Sequence, residues 1–191
     1  MMDENNKNSF SKDLFKWLWN YSLDYLARFE VSQKKLEYKL MERKDKYPYE
    51  VSLNAYKQAL QAVTTKLMEQ NLLSDYRYGQ SRMRQLLIRG KSTYFIKQDL
   101  NKNGLNEDLI AQLTEEFNEQ QSSKIFSLDE LAALQYIKKR HFGCYRLKDS
   151  HPKQQQKELA ALARQGFSYD LAQKMLQLEY DEAEEGLNDS C

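Results

Sequence analysis

Few residues in this chain of 191 have the spacing that catalysis or metal binding requires. His141 and His151 are the only two histidines, and neither sits in an HExxH or comparable ligand pattern, so no metal site is expected. Cys144, in a basic turn, and Cys191, at the C-terminal end, lack CxxC spacing and read as free thiols of a reducing compartment. No serine lies in a nucleophile elbow with a histidine placed as its base, and Gly90 beside Lys91 is a single glycine rather than a loop that cradles phosphate. Close carboxylates occur, as they do by chance on any acid-rich helix. The expectation is therefore a protein that is not an enzyme and takes no cofactor.

Charge, and where it falls, is the chemistry that remains. Net charge is only +1, which argues against a generic nucleic-acid binder. Between Ser74 and Asn103, however, Arg77, Arg82, Arg84, Arg89, Lys91, Lys97 and Lys102 face only Asp75 and Asp99, and a second basic run holds Lys138, Lys139, Arg140, Arg146 and Lys148. Acids collect instead at Glu107, Asp108, Glu115, Glu116 and Glu119, and again from Glu179 to Asp189. This polarisation predicts a cationic binding surface made of Arg82, Arg84, Arg89, Lys91, Lys97 and Lys102, extended by Lys138, Lys139, Arg140 and Arg164. Each would pair electrostatically with acids or phosphates rather than read bases. Of the aromatic residues, Tyr25, Tyr136 and Phe167 fall at core spacing, whereas Tyr76, Tyr78 and Tyr94 are the candidates for a stacking surface.

The elements that must position these cations are helices. With 30% charged residues but only 6 Gly and 2 Pro, helices on short links are favoured over turn-dependent sheets. No stretch approaches the roughly 18 apolar residues of a bilayer span, and MMDENNKNSFSKD lacks the plan of a secretory signal, so no membrane partner and a cytoplasmic location are expected. An internal repeat organises the chain. Ser32, Leu36 and Leu40 match Ser92, Ile96 and Leu100, each set a serine-capped helix with one apolar face. Further on, Leu100, Gly104, Leu105, Asn106, Asp108 and Leu109 match Leu162, Gly166, Phe167, Ser168, Asp170 and Leu171. That pattern is a glycine corner, an apolar staple and a capped restart.

The pattern predicts an all-α fold of three tandem three-helix, helix-turn-helix-like repeats in an elongated, curved arrangement. The boundaries read as an N-terminal tail at 1–13, repeats at 14–73, 74–120 and 127–180, a linker at 121–126 and an acidic, flexible tail at 181–191. Within the first repeat, Leu14, Trp17, Leu18, Tyr21 and Tyr25 form one stripe, and Leu60, Val63, Leu67 and Leu72 another. KDKYPYEVSLN reads as an exposed connection held at Pro48 and capped near Ser52 or Asn54.

Three strings, in order, resemble the RecX family. NLLSDYRY (71–78) resembles its junction Gly-Leu-Leu-Asp-Asp-x-Arg-Phe, YIKKRHFG (136–143) the end of a third-repeat helix, and RQGFSYD (164–170) its most recognisable signature, over a frame from about Leu23 to Leu178. Asn71 replaces a usual glycine; Ile88-Arg89-Gly90-Lys91-Ser92 stands for Arg-Lys-Gly-x-Gly, so only Arg89 and Gly90 carry over, and Arg82 and Arg84 fall in a different register. The resemblance implies a monomer that lies in the groove of a RecA filament on DNA and inhibits ATP hydrolysis, strand exchange and co-protease activity, in DNA repair and the SOS response. Contact with DNA, single-stranded or duplex, would come through the filament and only weakly without it. One rival is a direct DNA-binding helix-turn-helix module. Segment 107–119 opposes it, with five acids and no Lys or Arg, as does 168–178, where Lys174 is the only base. A structural adaptor for an unrelated partner is the other rival.

Overall fold

The computed structural model describes residues 4–121, 125–147 and 152–188. Lys148, His151 and Cys191, named above, lie outside them, as does part of the expected linker. Among the described residues the chain is all-α, with no strand. Its helices are α1 (Glu4–Leu26), α2 (Gln33–Met41), α3 (Leu53–Glu69), α4 (Asp75–Ile88), α5 (Thr93–Lys102), α6 (Glu107–Gln121), α7 (Leu128–Arg140), α8 (Pro152–Ala163), α9 (Tyr169–Leu176) and α10 (Tyr180–Asn188). No described helix is long and apolar enough to cross a membrane.

Local sequence explains most helix ends. The hydroxyls of Ser32, Ser52, Ser127 and Ser168 accept from the backbone N–H groups of Lys35, Ala55, Glu130 and Leu171, which satisfies donors that a helix start leaves open. At Ser127 the Glu130 carboxylate returns the bond and completes a capping box. Stops fall where the backbone turns left-handed: Asn71, Gly90, Gly104, His141 and Gly166 all have positive φ.

The chain divides into two compact units. The first takes Met1–Tyr78 with Asn103–Leu105, the second Gly79–Lys102 with Asn106–Cys191. In the first, Leu14, Leu18, Leu36, Leu40, Val63 and Leu67 form the core, with Trp17, Tyr21 and Tyr25 packed against it. Tyr56 is fully buried, and its hydroxyl donates to the Leu40 carbonyl at 2.6 Å, so the one polar atom it carries inward is satisfied. Two expectations need correction. Leu72 is exposed and Leu73 buried, because the chain has already turned at Asn71 and helical spacing no longer applies. The connection 44–54 is not simply exposed: Tyr47 is buried, its ring edge-on to Trp17 at 5.2 Å, and Ser52 is the cap that follows.

In the second unit Leu134, Ile137, Leu162, Phe167, Met175 and Ala183 form the core. The half-buried Arg146 pairs with the buried Glu158, with bonds of 2.9 and 2.6 Å between the guanidinium and the carboxylate, which also accepts the Gly143 N–H at 3.3 Å. Both ends of the chain depart from the tails expected of them. α1 starts at Glu4, and residues 180–188 are helix α10, which buries Ala183 and Leu187. Those two residues stand four apart, so the acid-rich stretch has one apolar stripe, a signal that composition alone conceals.

The sequence repeat reappears as a joint built in the same way in each unit. In the first, Ser32 is fully buried and donates through Oγ to the Asn103 carbonyl at 2.6 Å, while the next backbone N–H, of Gln33, donates to Asp75 at 2.7 Å. Gly104 packs so closely on the Lys34 side chain that a Cβ there would lie 2.5 Å from it. In the second unit, buried Ser92 donates through its N–H to the Gln165 carbonyl at 3.2 Å, the Thr93 N–H donates to Asp129 at 2.7 Å, and Gly166 lies against the Ser92 hydroxyl. A serine helix start thus docks on a glycine corner far along the chain, and an aspartate holds the residue after the serine.

Candidate partner-binding surface

The joint of the second unit positions the basic residues. α4 ends at Ile88, and Arg89-Gly90-Lys91 turns the chain into Ser92, the start of α5. Gly90 has φ +72°, and a Cβ on it would lie 2.5 Å from the Cβ of Tyr136 on α7, so the corner is pressed against that helix. Asp129 holds Thr93 twice, from its N–H at 2.7 Å and its hydroxyl at 3.0 Å. On the other side, Lys91 Nζ donates to Gln165 Oε1 at 2.6 Å and stands 4.3 Å from the centre of the Phe95 ring.

The consequence is a meeting of cations from distant stretches. Arg89 and Lys91 come from the first basic run; Arg164 precedes the residue that holds Lys91. Lys139 and Arg140 stand three and four positions after Tyr136, on the helical face that Gly90 touches. Arg89, Lys139, Arg140 and Arg164 are all exposed. The arrangement can pair with several carboxylates or phosphates at once; nothing in it offers a nucleophile or an acid–base pair.

The other candidates are placed differently. Arg82 grips Asp99 with two bonds, of 2.7 and 2.9 Å, and so ties α4 to α5. Arg84 is exposed but lies 5.8 Å from the centre of the Phe117 ring. Lys97 and Lys102 are exposed on α5, and Lys97 lines a shallow concavity with Glu107 and Ile110. Lys138 donates to both oxygens of Glu184, at 2.7 and 2.9 Å. Sequence reasoning missed Gln165 and Asp129, which fix the corner, and Lys157, exposed two turns before Arg164 on α8. A search for seven-residue spacing on that helix would have found Lys157. Nothing local marks Asp129 as a clamp. Of the proposed stacking residues Tyr78 is buried, whereas Tyr94 is 65% exposed.

No family model matches the chain. It is 28% identical over 166 residues to regulatory protein RecX of Myxococcus xanthus (strain DK1622), covering 84% of each chain. It is also 28% identical over 178 residues to regulatory protein RecX of Agrobacterium fabrum, covering 93% of this chain and 91% of that one. Among solved structures, RecX from Lactobacillus salivarius superposes with a TM-score of 0.60 at 20% identity, over 87% of this chain and 96% of that chain. A second structure, of a regulatory protein RecX, gives 0.64 at 21% identity, over 92% of this chain and 78% of that one.

Proposed function

From the premise that this chain is RecX-like in sequence and in fold, and so of a regulatory type, we propose that it binds RecA filaments assembled on DNA and restrains them. The observation that carries the reading is the gathering of Arg89, Lys91 and Arg164 at one buried joint, with Lys139 and Arg140 on the adjoining helix face. Such a surface pairs with acidic walls of a protein filament and with the phosphates at its axis, and phosphate pairing makes affinity fall steeply with salt. The protein acts without a catalytic step of its own, as a monomer of the cytoplasm, by occupying the filament. Inhibition of ATP hydrolysis, strand exchange and co-protease activity follows from that occupation.

The test is co-sedimentation with purified RecA on single-stranded DNA, alongside inhibition of its ATPase. Folded protein that neither sediments with the filament nor inhibits it defeats the proposal. Parallel titration with bare duplex separates the rival: affinity for naked DNA equal to that for filaments favours a direct DNA-binding module. The acids of α6, Glu107, Asp108, Glu115, Glu116 and Glu119, argue against that module, because they would face phosphate if α6 entered a groove.

A further inference from the structure

The C-terminal helix carries four acids in nine residues, and one of them pairs with Lys138, the residue before Lys139 of the basic surface. The Glu184 carboxylate receives Lys138 Nζ on both oxygens, at 2.7 and 2.9 Å, and the Tyr145 hydroxyl at 2.6 Å. Lys138 belongs to the last turn of α7 together with Lys139 and Arg140, the two cations that sit on the face touched by Gly90. α10 is held in place by more than this pair. Ala183 and Leu187 are buried, Gly186 packs against the Phe126 ring with no room for a Cβ, and Tyr180 meets Tyr145 edge-on at 5.4 Å. Asp181, Glu182 and Glu185 on the same helix are exposed and add negative charge around the contact.

We propose that α10 is an intramolecular competitor: Glu184 occupies Lys138, and an acidic partner must displace that carboxylate to use this lysine. The inference rests on the reading of the basic surface as a binding face. It deepens that reading by assigning the surface a built-in brake. Physical scale sets the brake's strength. The Lys138 side chain is 46% exposed, so a carboxylate or phosphate can approach it from solvent, and exchange of one ion pair for another costs little. The contact therefore weakens partner binding without abolishing it, by about two- to five-fold.

The experiment uses the full chain with Glu184→Gln, Glu185→Gln, Lys138→Ala and the double variant Lys138→Ala/Glu184→Gln. Two readouts are followed: half-inhibition of RecA ATPase on single-stranded DNA, and affinity for heparin, a polyanion unrelated to RecA. Glu184→Gln is expected to tighten both by about two- to five-fold. Glu185→Gln removes the same charge without touching Lys138 and should do less. The gain should vanish when Lys138 is already absent. Equal effects of the two glutamine variants, or a gain that persists in the Lys138→Ala background, overturn the proposal. If heparin responds as expected while RecA is not bound at all, the brake stands and the choice of partner falls. Should Glu184→Gln unfold α10, the native chain still decides the matter. Acetylation of Lys138 followed by mass spectrometry should then be slower than that of Lys139, and equal rates overturn the proposal.

Discussion

At the scale of single residues, two carboxylates drawn in from solvent are partnered to different degrees. Glu158 is 1% exposed, and Arg146 and the Gly143 N–H meet its carboxylate. Arg146→Ala strands that charge, and urea unfolding should show a loss of about 3–5 kcal/mol. Replacing both partners by apolar residues of similar volume should cost much less. Asp75 has a single backbone donor, from Gln33; burial raises its carboxyl above the ordinary value of 3.8, and the Gln33 bond only partly opposes the rise. A group that binds its proton more tightly when folded stabilises most at low pH, and that stability is lost as pH rises through the folded value. Asp75→Asn keeps an acceptor for Gln33 and never carries the charge. Its melting temperature relative to the parent should therefore increase as pH is raised from about 3 to 7. A difference that does not change with pH would show that burial of this carboxylate carries no penalty.

At the scale of elements, the corners matter more than the helices they separate. Gly90 combines φ +72° with a neighbour that leaves no room for a Cβ. Gly90→Ala adds the left-handed penalty to a steric clash with Tyr136, and should cost about 2–4 kcal/mol in thermal or urea unfolding. Alanine at an exposed helical site, as in Gln85→Ala, should be nearly silent. These corners were legible in the sequence because glycine or asparagine before a capping residue is a local signal. Helix α10 was not legible as an element, because its stretch reads as an acidic tail until Ala183 and Leu187 are seen to share one buried face.

At the scale of the whole molecule, polarised charge is the property that the proposed function would use. Arg82 is spent on Asp99 and Lys138 on Glu184, so the size of a basic cluster in the sequence overstates what a partner meets. Arg89→Glu with Arg164→Glu reverses two exposed cations that the fold brings to one joint. Inhibition of RecA ATPase should fall by at least about ten-fold, and its dependence on salt should flatten, with the melting temperature little changed. Full inhibition by this variant would place the binding face elsewhere while leaving the family likeness untouched. Arg82→Ala should do the reverse, lowering stability more than inhibition, since its guanidinium joins α4 to α5.

Sequence by itself determined the all-helical class, the serine starts, the glycine and asparagine stops, and the likeness of Ser32 to Ser92 and of Gly104 to Gly166. All of these depend on interactions within about four residues, which a linear reading contains. Only the tertiary structure decided that the starts at Ser32 and Ser92 each meet a corner some seventy residues on, as Ser32 meets Asn103 across 71 positions. It likewise decided that Lys91 is held by Gln165, the residue after Arg164, and that Lys138 is answered by Glu184, 46 positions away. A charge's partner depends on which helix packs beside it, and no local pattern carries that choice.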